Sequence, residues 1–172
     1  MGTVSNREML VARWAEVVND PSLHDVPYKV ELNAQGTIER SPANNWHAAV
    51  QASLAHLLAT ALPEGVVYTE CSALTDAGVR VPDVAWGSAE FAKDQGANTP
   101  FGRAPEICVE ILSPSNSPTE IGMKVKAYLA AGAREVWLAS AREGVSFIGP
   151  DGRKERSAFV AEVKLPSSIP QA

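Results

Sequence analysis

The sequence predicts a mixed α/β domain in which a central mixed β-sheet is flanked by helices. Three observations carry that expectation. Apolar stripes at helical spacing, over residues 5–19 and 43–61, alternate with short runs rich in branched and aromatic residues. The run "EICVEIL" at 106–112 has the near-continuous apolar character of a strand covered on both faces. The order helix, hairpin, helix, strands, helix, strands then leaves the helices to cover the sheet.

Element by element, Ser5 and Glu8 form a capping-box pattern ahead of Met9, Leu10, Trp14, Val17 and Val18. The first helix therefore spans 5–19 and stops at Asn19-Asp20-Pro21. "YKVEL", "NAQG" and "TIERS" read as strand, turn and strand. Over 43–61, Trp46, Val50, Leu54, Leu57 and Leu58 share one helical stripe. "GVVYTECSAL" and "GVRVPDVAW" are two further strands, paired antiparallel through the turn at Asp76-Ala77-Gly78. Residues 87–104 contain Gly, Asn, Asp and Pro and read as an irregular segment. Ser117-Pro118-Thr119-Glu120 then supplies a serine cap, a proline at the first helical position and a glutamate at the third, and Gly132 ends that helix. "EVWLAS" and "VSFIG" are strands, "GPDG" turns into a last edge strand, and the tail over 166–172 frays. A single domain spans 1–172, with its core over 28–165.

A chain of 172 residues can bury a full core, and 45% hydrophobic with 20% charged residues is an ordinary globular composition. No apolar stretch approaches the roughly 20 residues that cross a bilayer, so no membrane partner is expected. The start "MGTVSNREML" lacks the basic and apolar regions of a signal peptide, which points to the cytoplasm. Cys71 and Cys108 have no metal-site spacing, and Cys108 reads as a buried free thiol. A net charge of −5 argues against tight nonspecific nucleic-acid binding. It leaves room for a nuclease, because an acidic metal-binding cluster lowers the charge by itself. The basic group Arg153, Lys154 and Arg156 reads as a solvated hairpin before it reads as a phosphate contact.

The chemistry concentrates in three side chains. Asp83 ends one predicted strand, Glu110 sits inside another, and Lys124 lies on the helix that follows. A carboxylate among Ile107, Cys108, Val109, Ile111 and Leu112 is costly to bury unless something pairs with it. Two such carboxylates suit Mg²⁺, which takes one or two of them and keeps several waters. Ile121, Val125, Tyr128 and Leu129 define the buried stripe of the last helix, which puts Lys124 at its border and Lys126 toward solvent. Plainer readings stand beside these: Lys124 as a surface partner of Glu120, Glu120 as a capping residue, and Asp83 as a strand-end turn residue. Nothing local explains Glu110 as simply.

"VPDVAW", "PEICVEILSPS", the spaced "EIGMK" and "AYLAAGAREVWL" together resemble the putative restriction endonuclease family, a bacterial branch of the PD-(D/E)XK nuclease superfamily. The likeness covers residues 28–140 and includes Tyr128, Gly132, Trp137 and the upstream "ELNAQGTIERSPANNWH". It implies a restriction-endonuclease-like core and Mg²⁺-dependent phosphodiester cleavage, with Mn²⁺ as an alternative ion. Asp83 and Glu110 are implied as metal ligands. The superfamily's lysine usually stands two residues after the glutamate, where this chain has Leu112, and the family pattern offers Lys124 instead. Glu39 matches a frequently acidic position and either completes the site or is a solvated hairpin residue. His47 and Gln51 share a helical face and are candidates to line the cleft, with a capping or core-edge role open for His47. Glu120 replaces a customary aspartate and is a third candidate to line the cleft.

The expected activity is that of a Mg²⁺-dependent endodeoxyribonuclease with DNA as substrate, working as a homodimer. Two alternatives remain: a catalytically silent binding module on the same fold, and a phosphoesterase acting on RNA or a small phosphate ester.

Overall fold

The computed structural model of the chain describes residues 5–42 and 44–165, so the expected fraying of 166–172 lies outside it. Helix α1 (Asn6–Asn19) opens on the predicted capping box, with the Ser5 hydroxyl and Glu8 carboxylate each accepting from the other's backbone N–H. The hairpin β1 (Tyr28–Asn33) and β2 (Ile38–Pro42) leads into α2 (Asn45–Ala61), capped by Asn44. Strands β3 (Val66–Thr69), β4 (Ala73–Thr75), β5 (Gly78–Arg80) and β6 (Val84–Gly87) follow. Helix α3 (Ala89–Gln95), β7 (Ile107–Ile111), α4 (Pro118–Ala130), β8 (Glu135–Ser140), β9 (Gly144–Gly149) and β10 (Gly152–Lys154) complete the chain.

The expected central mixed sheet is six-stranded, in the order β10-β9-β8-β7-β6-β3, with β7 and β8 parallel and the other pairs antiparallel. A second sheet, β2-β1-β5-β4, is antiparallel throughout. It arises because two predicted long strands each divide between the sheets. "GVVYTECSAL" breaks at Glu70, whose φ of 53° is left-handed, into β3 and β4. "GVRVPDVAW" breaks at Pro82, which has no N–H to give a ladder, into β5 and β6. The predicted hairpin through Asp76 is therefore β4–β5 alone, while β3 pairs with β6. Gly78, at φ +116°, comes so close to the Leu32 carbonyl that a Cβ would collide with it. The segment 87–104 is also more regular than expected: Ser88 caps α3, and Phe91 is fully buried beneath it.

Packing fixes which faces remain free. Leu10, Trp14 and Val17 of α1 bury Leu32, Leu74 and Val79 on one face of the smaller sheet. Val50, Leu54 and Leu58 of α2 cover Val84, Ile107, Val109, Ile111 and Trp137. On the opposite face of the larger sheet, Tyr128 of α4 packs with Cys108 and Val136. Strand β7 therefore gives its odd residues to α2 and its even ones to α4, and Glu110 is the last even residue.

Candidate functional site

The alternation of β1 supplies the first wall of the site. Val30 and Leu32 pack toward α1, so Lys29 and Glu31 stand on the opposite face. That face looks onto the larger sheet and α4, and both side chains are buried there.

Asp83 lies where the chain leaves the smaller sheet for the larger one, just ahead of β6 rather than at the end of a strand. Its backbone is fixed on both sides: its N–H donates to the Val109 carbonyl at 2.9 Å, and its carbonyl accepts from the Gln51 amide at 2.9 Å. The carboxylate is 1% exposed. Oδ1 accepts from Lys29 Nζ at 2.6 Å, while Oδ2 accepts from the Ile111 N–H at 2.6 Å and lies 3.2 Å from His47 Nε2. His47 thus meets Asp83 directly, and Gln51 holds its main chain.

Glu110 is gripped from α4. The Tyr128 hydroxyl donates to Oε1 at 2.6 Å and Lys124 Nζ to Oε2 at 3.2 Å. These two residues are four apart, one helical turn, which is why both reach the same carboxylate. Lys124 Nζ also lies 2.9 Å from Glu31 Oε2, and Lys29 Nζ lies 3.5 Å from Glu110 Oε2. Lys124 reaches past Glu120, whose carboxylate accepts from the Ser117 N–H and hydroxyl at 3.0 and 2.8 Å as a capping box. Lys126 is exposed.

Glu39 stands apart from Asp83. Its carboxylate binds Arg80, which lies 3.6 Å from Glu31, and it lines an adjoining cavity shared with Glu110 and Lys124. The main cleft, about 550 Å³, is lined by Lys29, His47, Asp83, Glu110 and Lys124 among others.

Burial and pairing compete throughout this cluster. Burial raises the Asp83 pKa, but the His47 bond and the Lys29 ammonium outweigh it and hold the carboxyl well below its usual range. For Glu110 burial prevails over Lys29 and Lys124, and its pKa is raised. Glu31 is lowered, because Lys124 and Lys29 overcome its burial. Lys29 is raised, since Glu110, Asp83 and Glu31 together exceed the desolvation that opposes them.

Among the described residues no three His, Cys, Asp or Glu side chains gather as a ready metal cluster. Asp83 and Glu110 nevertheless converge on one point, marked by the Lys29 ammonium that touches both. Two hard carboxylates directed at a single cation position fit Mg²⁺, which completes its shell with water.

Three residues of this arrangement escape the sequence reading: Lys29, Glu31 and Arg80. Lys29 and Glu31 carry a readable signal, their period-two spacing in "YKVEL", but a charged strand face reads as solvated until the second layer is known. Tyr128 is expected as a core residue, and its hydroxyl contact with Glu110 is not visible from periodicity.

A solved structure of a putative nuclease from Anabaena variabilis shares the fold at a TM-score of 0.59, with 19% sequence identity over 79% of this chain and 86% of that one. No curated protein matches the chain. The family model described as putative restriction endonuclease, Uma2, matches residues 21–169. With that match spanning most of its length and this fold beneath it, the chain belongs to the Uma2 family of putative restriction endonucleases.

Proposed function

We propose that the protein is a metal-dependent endonuclease that hydrolyses phosphodiester bonds in DNA. The observation that carries this reading is the convergence of Asp83 and Glu110 on one cation position, with Lys124 beside it in an open cleft. Family membership supports the nuclease class.

Asp83 and Glu110 would hold Mg²⁺ or Mn²⁺, which when bound supplies an acidified water and neutralises charge on a phosphodiester. The chain's own groups set the geometry. The Ile111 N–H and His47 orient the Asp83 carboxylate, and the Tyr128 hydroxyl orients Glu110. Lys124 is held between Glu31 and Glu110 and offers an ammonium to the negative charge that develops at phosphorus. Gln51 fixes the backbone that carries Asp83, and Arg80 keeps Glu39 at the rim of the adjoining cavity.

The test is incubation of supercoiled plasmid with the protein and Mg²⁺ or Mn²⁺, with Asp83→Ala as control. Metal-dependent nicking or linearisation that Asp83→Ala abolishes is the expected result, and intact plasmid under both metals would reject the reading. The ion pairs that already neutralise the cleft favour one alternative, a silent binding module. That alternative predicts a gel shift of DNA without cleavage.

A further inference from the structure

We propose that Lys29 is the resident counter-ion of the Asp83–Glu110 cation position, and that a divalent metal ion loads by exchange with its ammonium. The inference rests on the metal-dependent reading above and goes beyond it by naming what the ion must displace.

Lys29 Nζ lies 2.6 Å from Asp83 Oδ1 and 3.5 Å from Glu110 Oε2, so it already bridges the two carboxylates. Its side chain is only 9% exposed, which makes it part of the cleft floor. A Mg²⁺ ion needs oxygen ligands at about 2.0–2.1 Å, and no room is left for it between these oxygens while the ammonium stays. Lys124 is different. It approaches Glu110 from α4, bonds Glu31 as well, and is not among the partners of Asp83, so it can remain when the position is refilled. The flexible four-carbon stem of Lys29 can swing outward within the main cleft, whose lining includes Ser41, Glu70 and Ser115. The same ammonium gives both buried carboxylates a counter-charge. The cost falls on metal affinity, which stays weaker than the two carboxylates alone would give.

Mn²⁺ serves as the probe, with free ion counted by electron paramagnetic resonance for the full chain, Lys29→Met and Asp83→Asn. In parallel, acetylation of Lys29 by an N-hydroxysuccinimide ester is followed by mass spectrometry with and without Mn²⁺, using exposed Lys126 as reference. Lys29→Met is expected to bind Mn²⁺ at least about tenfold tighter than the unaltered protein. Lys29 acetylation should rise several-fold on adding Mn²⁺ while Lys126 stays constant. Asp83-dependent Mn²⁺ binding of equal strength in both proteins, with flat Lys29 acetylation, would overturn the exchange and leave the metal reading standing. Absence of Asp83-dependent binding in both proteins would overturn the metal reading and the exchange with it. Should Lys29→Met fail to fold, the acetylation of the unaltered protein decides alone.

Discussion

Lys124 and Lys126 differ by about 200° of helix, and that angle separates a cleft residue from a solvated one. Lys124 bonds Glu31 and Glu110, so its removal should slow cleavage by about 10²–10³, the cost of one preorganised contact, while Lys126→Ala changes little. Equal rates for both variants, in a plasmid assay where Asp83→Ala is inactive, would exclude Lys124 from the site. Tyr128→Phe leaves Glu110 Oε1 without its donor inside the core and should cost about 1–3 kcal/mol in urea unfolding. The pH response follows from Asp83. Its folded pKa lies below the ordinary 3.8, so its contribution to stability is present above that value and lost as pH falls toward the folded one. Glu110, with its pKa raised, works in the opposite sense and partly offsets the loss, because folding favours its protonated form. Urea midpoints should therefore drop below about pH 4, and Asp83→Asn should flatten that limb; an unchanged limb would mean the Asp83 pairing adds no stability. Glu110 stands out in the sequence because it sits against its local pattern, whereas Asp83 and Lys124 also fit plainer local readings and stand out through the family resemblance. Lys29 and Glu31 do not, because an alternating charged strand obeys its pattern and gives no sign of a second layer.

At the scale of elements, legibility tracked how local the determining contacts are. Helices α1 and α4 begin where their capping boxes place them, and β8 coincides with "EVWLAS", since caps and periodicity act within a few residues. The strands between 66 and 87 defeat such reading. Whether "VVYT" and "SAL" belong to one strand or to two sheets depends on partners far along the chain; only Pro82 hints at a break, and the left-handed turn at Glu70 shows in the backbone alone. Pro82 has a further consequence: it ends β5 and delivers Asp83 between the sheets, so the division that hides the strands also builds the site. The cap of α4 offers a test confined to one element. Ser117→Ala should lower stability by about 1 kcal/mol, because the Glu120 N–H loses its acceptor. Plasmid cleavage by this variant at a temperature where it stays folded should be retained, since Lys124 and Tyr128 lie about two and three turns further along. Lost cleavage would tie the first turn of α4 to the chemistry.

For the whole molecule, the proposed reading gives the cleft one cation position, between Asp83 and Glu110, and so one strand of a duplex to cut at a time. A second cut in the opposite strand requires either release and rebinding or a second copy related by a two-fold axis. Duplex DNA has matching pseudo-symmetry, and a small domain gains both affinity and a paired geometry by dimerising on it. A net charge of −5 reinforces the point, because an acidic domain collects little nonspecific attraction from the phosphate backbone and has more to gain from doubling its contacts. We therefore expect a homodimer. Light scattering at micromolar concentration should give about twice the 18.3 kDa chain mass, and the product pattern supplies an independent check. A dimer converts supercoiled plasmid to linear form with little open circle accumulating, whereas a monomer nicks first and linearises late. A monomeric mass together with open-circle accumulation would show that one cleft acts alone on one strand.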